Sequence, residues 1–163
     1  MKTKRKYILL GTIILLVFCL ILLLTRCNCG KPMGSLTGPL TVDEGAVSWE
    51  GNQNLADTNA PGKIAIPGFE SLSFVANQTT QLVNFYNPES NNCLFLMSLY
   101  VGDQLYWQSG YVEAGKGYYT IELCEEIPAG EYAGELLIQC FRPSGEALNS
   151  ARVTFDLNVL EDN

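Results

Sequence analysis

Histidine is absent from this chain of 163 residues, and its absence narrows the chemistry open to the protein. Without an imidazole, neither Ser-His-Asp nor Cys-His catalysis can operate, and most zinc sites lose a usual ligand. The sequence also lacks a phosphate-binding glycine loop and the spaced acidic motif of calcium-binding loops. We therefore predict that the protein is not an enzyme and has no metal, no cofactor and no small-molecule substrate. A hydrolase of envelope glycan working through paired carboxylates remains the one enzymatic alternative, because the chain holds 17 acidic residues.

Basic residues are scarce beyond the first part of the chain. From Cys27 onward the sequence has five basic residues against 17 acidic ones, a formal charge of −12. A surface of this charge repels the phosphate backbone, so we predict no nucleic-acid partner. It also makes docking flat on anionic lipid unfavourable.

Residues 7–25 form a long apolar run without a charged residue. A helix of that length spans about 28 Å, close to the thickness of a hydrocarbon core. Residues 1–6 before it carry four basic side chains, and such clusters stay in the cytoplasm. The pattern predicts a cytoplasmic tail at 1–6, a transmembrane signal-anchor helix at 7–25 and a C-terminal domain outside the cytoplasmic membrane. Cleavage of the segment and lipidation at Cys27 remain alternatives, although Arg26 is a poor neighbour for either.

Residues 26–63 are rich in turn-forming and polar residues without a sustained period, which predicts a stalk or linker. Two short apolar pieces, 40–42 and 46–49, leave open an edge strand or a patch packed on the domain. Trp49 is the residue of note in this stretch.

Residues 64–163 show a different pattern, with short runs of β-branched and aromatic residues separated by turns. Candidate strands are 71–76, 80–87, 93–101, 104–108, 118–124, 131–141 and 152–160. The last strand alternates clearly between apolar and polar residues, whereas 93–101 is apolar on both faces, as in a central strand or a strand with a partner. The pattern predicts an all-β domain, an antiparallel immunoglobulin-like sandwich of about seven strands. Tyr132, two residues past Gly130, resembles the tyrosine of the corner found in such sandwiches.

The cysteines and aromatics supply the remaining candidate residues. Strand parity puts Cys93 and Cys140 on core faces, so they are the candidate disulfide, with two reduced buried thiols as the alternative. Tyr106, Trp107, Tyr111 and Tyr118 gather around one hairpin and the next loop. Exposed tyrosine and tryptophan are typical of protein contact surfaces, but packing in the core is the competing interpretation.

The segments 66–68, 87–93, 105–109, 114–116 and 129–132 resemble a family of small uncharacterised membrane-anchored surface proteins of Gram-positive anaerobes, often associated with mobile or conjugative elements. The resemblance implies an immunoglobulin-like module at the cell surface and carries no catalytic residues. We expect a non-catalytic binding or assembly module with a protein partner, in a surface or conjugative-transfer apparatus. A structural subunit that polymerises by strand addition is the alternative.

Overall fold

The computed structural model describes residues 40–52 and 63–162 of the chain. Its strands are β1 (Val47–Ser48), β2 (Ser71–Val75), β3 (Thr80–Tyr86), β4 (Leu94–Val101), β5 (Gln104–Val112), β6 (Lys116–Glu122), β7 (Gly130–Phe141) and β8 (Ala147–Leu160). Within these two ranges the protein is all-β, and no helix there is long and apolar enough to cross a membrane. The predicted tail and anchor helix, with the alternatives of cleavage and lipidation, lie outside the described residues.

The eight strands form two sheets, as in a β-sandwich. One sheet has the order β1-β6-β3 and the other the order β2-β8-β7-β4-β5. Neighbouring strands are antiparallel except β2 and β8, which run parallel. The strand predicted at 104–108 continues to Val112, and the strand predicted at 152–160 begins earlier, at Ala147. The extra length of β8 comes from the hairpin with β7, in which Phe141 pairs with Ala147.

The core lies between the two sheets and follows the alternation of the strands. Phe155, Leu157 and Val159 of β8 are buried, while Thr154 and Asp156 on the opposite face are exposed. Inward side chains from both sheets meet in one cluster that includes Phe85, Phe95, Leu99, Leu136 and Ile138. The β-branched and aromatic composition of these strands therefore forms a single two-sided core.

Strand β4 is buried on both faces, which answers the question that its sequence left open. It lies between β5 and β7, and its inner face joins the main core. Its outer face carries Leu94 and Leu96, which form a second cluster with Phe141. Leu40 and Tyr111 pack against that cluster. Strand β4 is thus a central strand covered on both sides.

Asparagine side chains hold the loop between β3 and β4. The Asn87 amide donates to the carbonyl oxygens of Cys93 and Val112, at 2.8 and 2.9 Å. Asn91 donates to the carbonyl of Ala65 and accepts from its N–H, so its amide substitutes for a strand partner there. Both asparagines are buried, and these bonds satisfy groups that would otherwise be costly to bury.

The turn into β7 is closed by a tyrosine. The Tyr132 hydroxyl donates a hydrogen bond of 2.9 Å to the carbonyl oxygen of Pro128, which lies four residues upstream. This is the hydrogen bond that defines a tyrosine corner. The residue therefore fixes the path of the chain between the two sheets.

Candidate contact surface

The four aromatic residues that the sequence singled out do not lie together on the surface. Trp107 and Tyr118 are buried in the main core, where their rings meet edge to face at 5.0 Å. Tyr106 is half-buried and packs against the same core, and Tyr111 packs on the second cluster. Because all four rings pack in or against one of the two hydrophobic clusters, these residues mainly stabilise the fold.

Residues 40–52 dock onto the domain within the stretch predicted as linker. Val47 and Ser48 pair with Gly117 and Lys116, and form the edge strand β1. Upstream, Val42 forms a bridge with Tyr111 at the edge of β5. The short apolar pieces that the sequence left open are therefore part of the fold, and we call residues 40–52 the docked segment.

Asp43 fixes the docked segment from inside. Its carboxylate accepts hydrogen bonds from the backbone N–H groups of Gly45 and Gly110, and its own N–H donates to the Tyr111 carbonyl at 2.8 Å. A Cβ at Gly110 would lie only 2.9 Å from the Asp43 carboxylate, so the glycine makes room for this contact. Asp43 is buried, and a carboxylate in such a place needs donors of this kind.

The Tyr118 hydroxyl lies buried beside Asp43. It has no hydrogen bond of standard geometry in the structure. Burial, and then the neighbouring Asp43 carboxylate, raise the pKa of Tyr118 well above its ordinary value. The phenol is therefore held in its neutral form.

Trp49 stands between two tyrosine rings on the outer side of the three-stranded sheet. Its ring stacks on Tyr86 at a centroid distance of 4.7 Å and on Tyr119 at 4.6 Å, with interplanar angles of 8° and 13°. The Tyr119 hydroxyl accepts from the N–H of Glu50 at 2.9 Å, which closes the stack. Gly117 lies close to this stack, since a Cβ at that position would be only 2.6 Å from the Cβ of Tyr86. The three rings are thus held together beside β6.

Exposed apolar side chains extend from this stack across all three strands. Val47 on β1 is 50% exposed, Tyr119 on β6 is 41% exposed and Leu82 on β3 is 74% exposed. They are three of the five large exposed hydrophobic residues among the described residues; the others, Val75 and Leu160, pair with each other in the second sheet. Tyr86 is itself buried, at 1% exposure, beside the half-buried Trp49. We call the outer side of the three-stranded sheet, with the exposed Val47, Leu82 and Tyr119 and with Trp49 stacked on Tyr86, the aromatic face.

Acidic side chains flank the aromatic face. Glu50 follows Trp49, and Glu122 pairs with Thr80 across β6 and β3. Glu122 is exposed and accepts hydrogen bonds from the hydroxyls of Thr79 and Thr80, which lower the pKa of its carboxyl. The nearest cation on β6, Lys116, is bound to Glu113 at 2.6 Å.

Within residues 40–52 and 63–162, the cysteines are a buried pair and an exposed residue. Cys93 and Cys140 are both free thiols in the core and are hydrogen-bonded to each other. This is the reduced alternative that the sequence left open for the candidate disulfide. The Cys140 thiol has its pKa raised by that hydrogen bond and by burial. Cys124, by contrast, is exposed and disulfide-bonded.

Four carboxylates line an open groove of about 470 Å³ on the other sheet: Glu70, Asp103, Glu135 and Asp156. Glu135 is engaged by an ion pair with Arg152.

Sequence reasoning noted Trp49 and missed Tyr86 and Leu82 as residues that lie beside it. The available signal was the adjacent apolar pair Leu82 and Val83, because neighbouring residues of a strand face opposite sides and one of the two has to point away from the core. Comparison of the chain with models of known protein families, with curated proteins and with solved structures finds no match. The function has to be argued from the geometry of the aromatic face.

Proposed function

We propose that this protein is a membrane-anchored, extracytoplasmic, non-catalytic module that binds a protein partner through its aromatic face. The observation that carries the proposal is the position of Val47, Leu82 and Tyr119, whose exposed side chains cross one sheet. Exposed aromatic and aliphatic groups gathered on one face are typical of protein interaction sites. Rings already held in place lose little freedom when a partner binds.

The anchor and the compartment rest on the sequence. The apolar run at 7–25 behind a basic tail supports a single-pass signal anchor, with the sandwich outside the cytoplasmic membrane. The resemblance to surface proteins of mobile elements supports a place in a surface or conjugative-transfer apparatus.

The immunoglobulin-like character of the sandwich is supported by two features. The chain forms two packed sheets, and the Tyr132 hydroxyl returns to the Pro128 carbonyl at the start of the penultimate strand. Immunoglobulin-like domains present loops and sheet faces to partners, which suits a binding module.

Site-specific cross-linking in intact cells tests the proposal. A photoreactive phenylalanine analogue placed at Leu82 of the full chain should give one discrete cross-linked product. The same analogue at Leu160, which is 57% exposed on the other sheet, is the matched control and should give none. Equal products from both positions, or no product from position 82, would overturn the proposed binding face.

A second candidate, polymerisation by strand addition, is favoured by the edge position of β3. Among the described residues β3 pairs only with β6, so its other edge could accept a strand. The edge of β2 is less open, because the Gln81 amide bonds both the N–H and the carbonyl of Val75 at 2.8 Å. Filaments of the full chain that disappear on replacing a β3 residue with proline would favour this reading.

A further inference from the structure

The aromatic face has an apolar centre of fixed shape. Trp49 is held between Tyr86 and Tyr119, and the absence of a side chain at Gly117 makes room for Tyr86, whose Cβ would lie 2.6 Å from a Cβ there. Leu82 extends this surface across β3 with most of its side chain in water. The apolar centre therefore combines stacked rings that are held in place with one leucine that is largely exposed.

The rim of this centre is negative. The N–H of Glu50 donates to the Tyr119 hydroxyl, which places Glu50 beside that ring. Glu122 is the last residue of β6. The carboxyl of Glu122 stays ionised because the Thr79 and Thr80 hydroxyls donate to it. A partner that buries the apolar centre therefore has to bring positive groups to at least these two positions.

The rest of the described domain offers little compensating positive charge. The described residues hold four basic side chains, Lys63, Lys116, Arg142 and Arg152, against 16 acidic ones. Three of the four are bound within the domain, Lys116 to Glu113, Arg142 to Glu146 and Arg152 to Glu135. Two copies of the chain meeting face to face would bring like charges together within the screening length of about 8 Å.

From this combination we infer that the partner of the aromatic face is a different protein, with an apolar centre flanked by lysine or arginine side chains. The inference rests on the proposed function and names the chemistry of the partner. It excludes a second copy of this chain as the main occupant of the face.

The test uses the full chain in nanodiscs of phosphatidylcholine, a lipid without net charge. The probe is a fluorescent synthetic peptide in which lysine alternates with valine and tryptophan, and the matched peptide has glutamate in place of each lysine. Fluorescence anisotropy should show binding of the lysine peptide that weakens with added salt, and at least tenfold weaker binding of the glutamate peptide. Equal binding of the two peptides would overturn the inference.

Variants locate the binding on the face. Leu82→Glu replaces an apolar side chain outside the ring stack with a negative one. If the lysine peptide contacts the apolar centre, its binding should weaken even though the added negative charge attracts it. Leu82→Ser with Tyr119→Ser should weaken binding about tenfold, as expected for a small group of central contacts. Val75→Ser with Leu160→Ser, on the other sheet, is the control and should leave binding unchanged. Unchanged binding in both Leu82 variants would show attraction by charge alone and would overturn the inference.

The outcome separates the inference from the proposed function. Cross-linking from position 82 to a second copy, or to an acidic partner, would leave a binding face in place and overturn only the partner chemistry. If position 82 gives no cross-linked product and the lysine peptide does not bind, both the proposed function and the inference about the partner are overturned.

Discussion

At the scale of single residues, one close contact in the sandwich depends on the missing side chain of a glycine. Gly134 on β7 pairs with Phe155 on β8, and a Cβ on the glycine would lie 2.2 Å from the Phe155 ring. The ring fills the space above the glycine and closes one end of the core. Glycine is required at this position by packing, and its φ angle plays no part.

Gly134→Ala should therefore destabilise the domain. The added methyl group has to displace a ring packed in the core, and overpacking of this kind costs about 1–3 kcal/mol. The measurement is the urea midpoint of the full chain followed by tryptophan fluorescence. Gly68→Ala is the control, because nothing lies within 4 Å of a Cβ at Gly68. Equal midpoints for the two variants would contradict the packing argument.

Tyr118 should make the domain sensitive to alkaline pH. Its pKa is raised in the folded protein, so above the ordinary pKa of about 10 the folded state holds a proton that the unfolded state has lost. Stability from this group is present below that pH and falls as the pH rises above it.

Tyr118→Phe should therefore flatten the loss of stability between about pH 9 and 11, where unfolded tyrosine titrates. The measurement is the free energy of unfolding by urea at several pH values. Tyr111→Phe, on the second cluster, is the control and should keep the wild-type slope. An unchanged slope in Tyr118→Phe would show that other groups carry the pH dependence.

At the scale of elements, the docked segment 40–52 is stabilised by few but specific contacts. Its strand β1 has only two residues, too short to be stable by pairing alone. The buried Asp43 carboxylate and the stacked Trp49 ring hold it at its two ends. Because Val47 and Trp49 belong to the aromatic face, the face depends on this docking.

Asp43→Ala should release the docked segment while the two sheets stay folded. The change removes the acceptor of the N–H groups of Gly45, which is exposed, and Gly110, which is half-buried, at a cost of about 1 kcal/mol for each hydrogen bond. Hydrogen exchange followed by mass spectrometry should show faster exchange in residues 40–52 and little change in β7 and β8. Glu44→Ala, at an exposed position, is the control. Uniformly faster exchange would mean that the segment and the sheets unfold together.

At the scale of the whole molecule, charge is distributed unevenly between the two ends of the sandwich. The chain end after β8 and the turns that follow β4 and β6 meet at one end, as shown by the bonds from Ala76 to Leu160, from Asn77 to Ile127 and from the Gln104 side chain to Glu125. These segments carry only acidic charges: Asp103, Glu125, Glu126, Glu161 and Asp162. Like charges so close together repel each other in the folded state.

Salt should therefore stabilise the domain. Raising sodium chloride from about 0.01 to 0.5 M shortens the screening length several-fold and weakens the repulsion at this end. The melting temperature, followed by circular dichroism, should rise by a few degrees, in line with a gain of about 1 kcal/mol. Glu126→Gln with Glu161→Gln should reduce that rise. A melting temperature that falls with salt would indicate that the ion pairs dominate instead.

The membrane topology predicts a labelling pattern for the whole chain. An amine reagent that cannot cross lipid should modify Lys63 and Lys116 in intact cells and leave Lys2, Lys4 and Lys6 unmodified, because the basic tail is predicted to be cytoplasmic. Peptide mass spectrometry identifies the modified sites, and lysed cells provide the control. Modification of Lys63 and Lys116 only after lysis would refute the predicted orientation.

The sequence by itself determined the strands, because side-chain direction alternates with a period of two and needs no knowledge of the partner strand. It left open whether β4 is a covered central strand or a strand with a partner, and it pointed to Tyr132, whose hydrogen bond spans only four residues. Only the tertiary structure decided which aromatics face the core. Adjacent Tyr118 and Tyr119 point to opposite sides of their strand, but which of them is buried depends on how β6 packs against the other sheet. Register shifts between Leu82 and Phe85, and within the β4–β5 pair, also interrupt the alternation that the sequence pattern relies on.

The docked segment was also decided by tertiary structure. A two-residue strand has no period to detect, and Asp43 reaches a hydrogen-bond donor 67 residues away. Local pattern determines an element when its own residues bury one face. The aromatic face, in contrast, exists only because β1, β6 and β3, distant in sequence, lie side by side and bring Trp49 between two tyrosines.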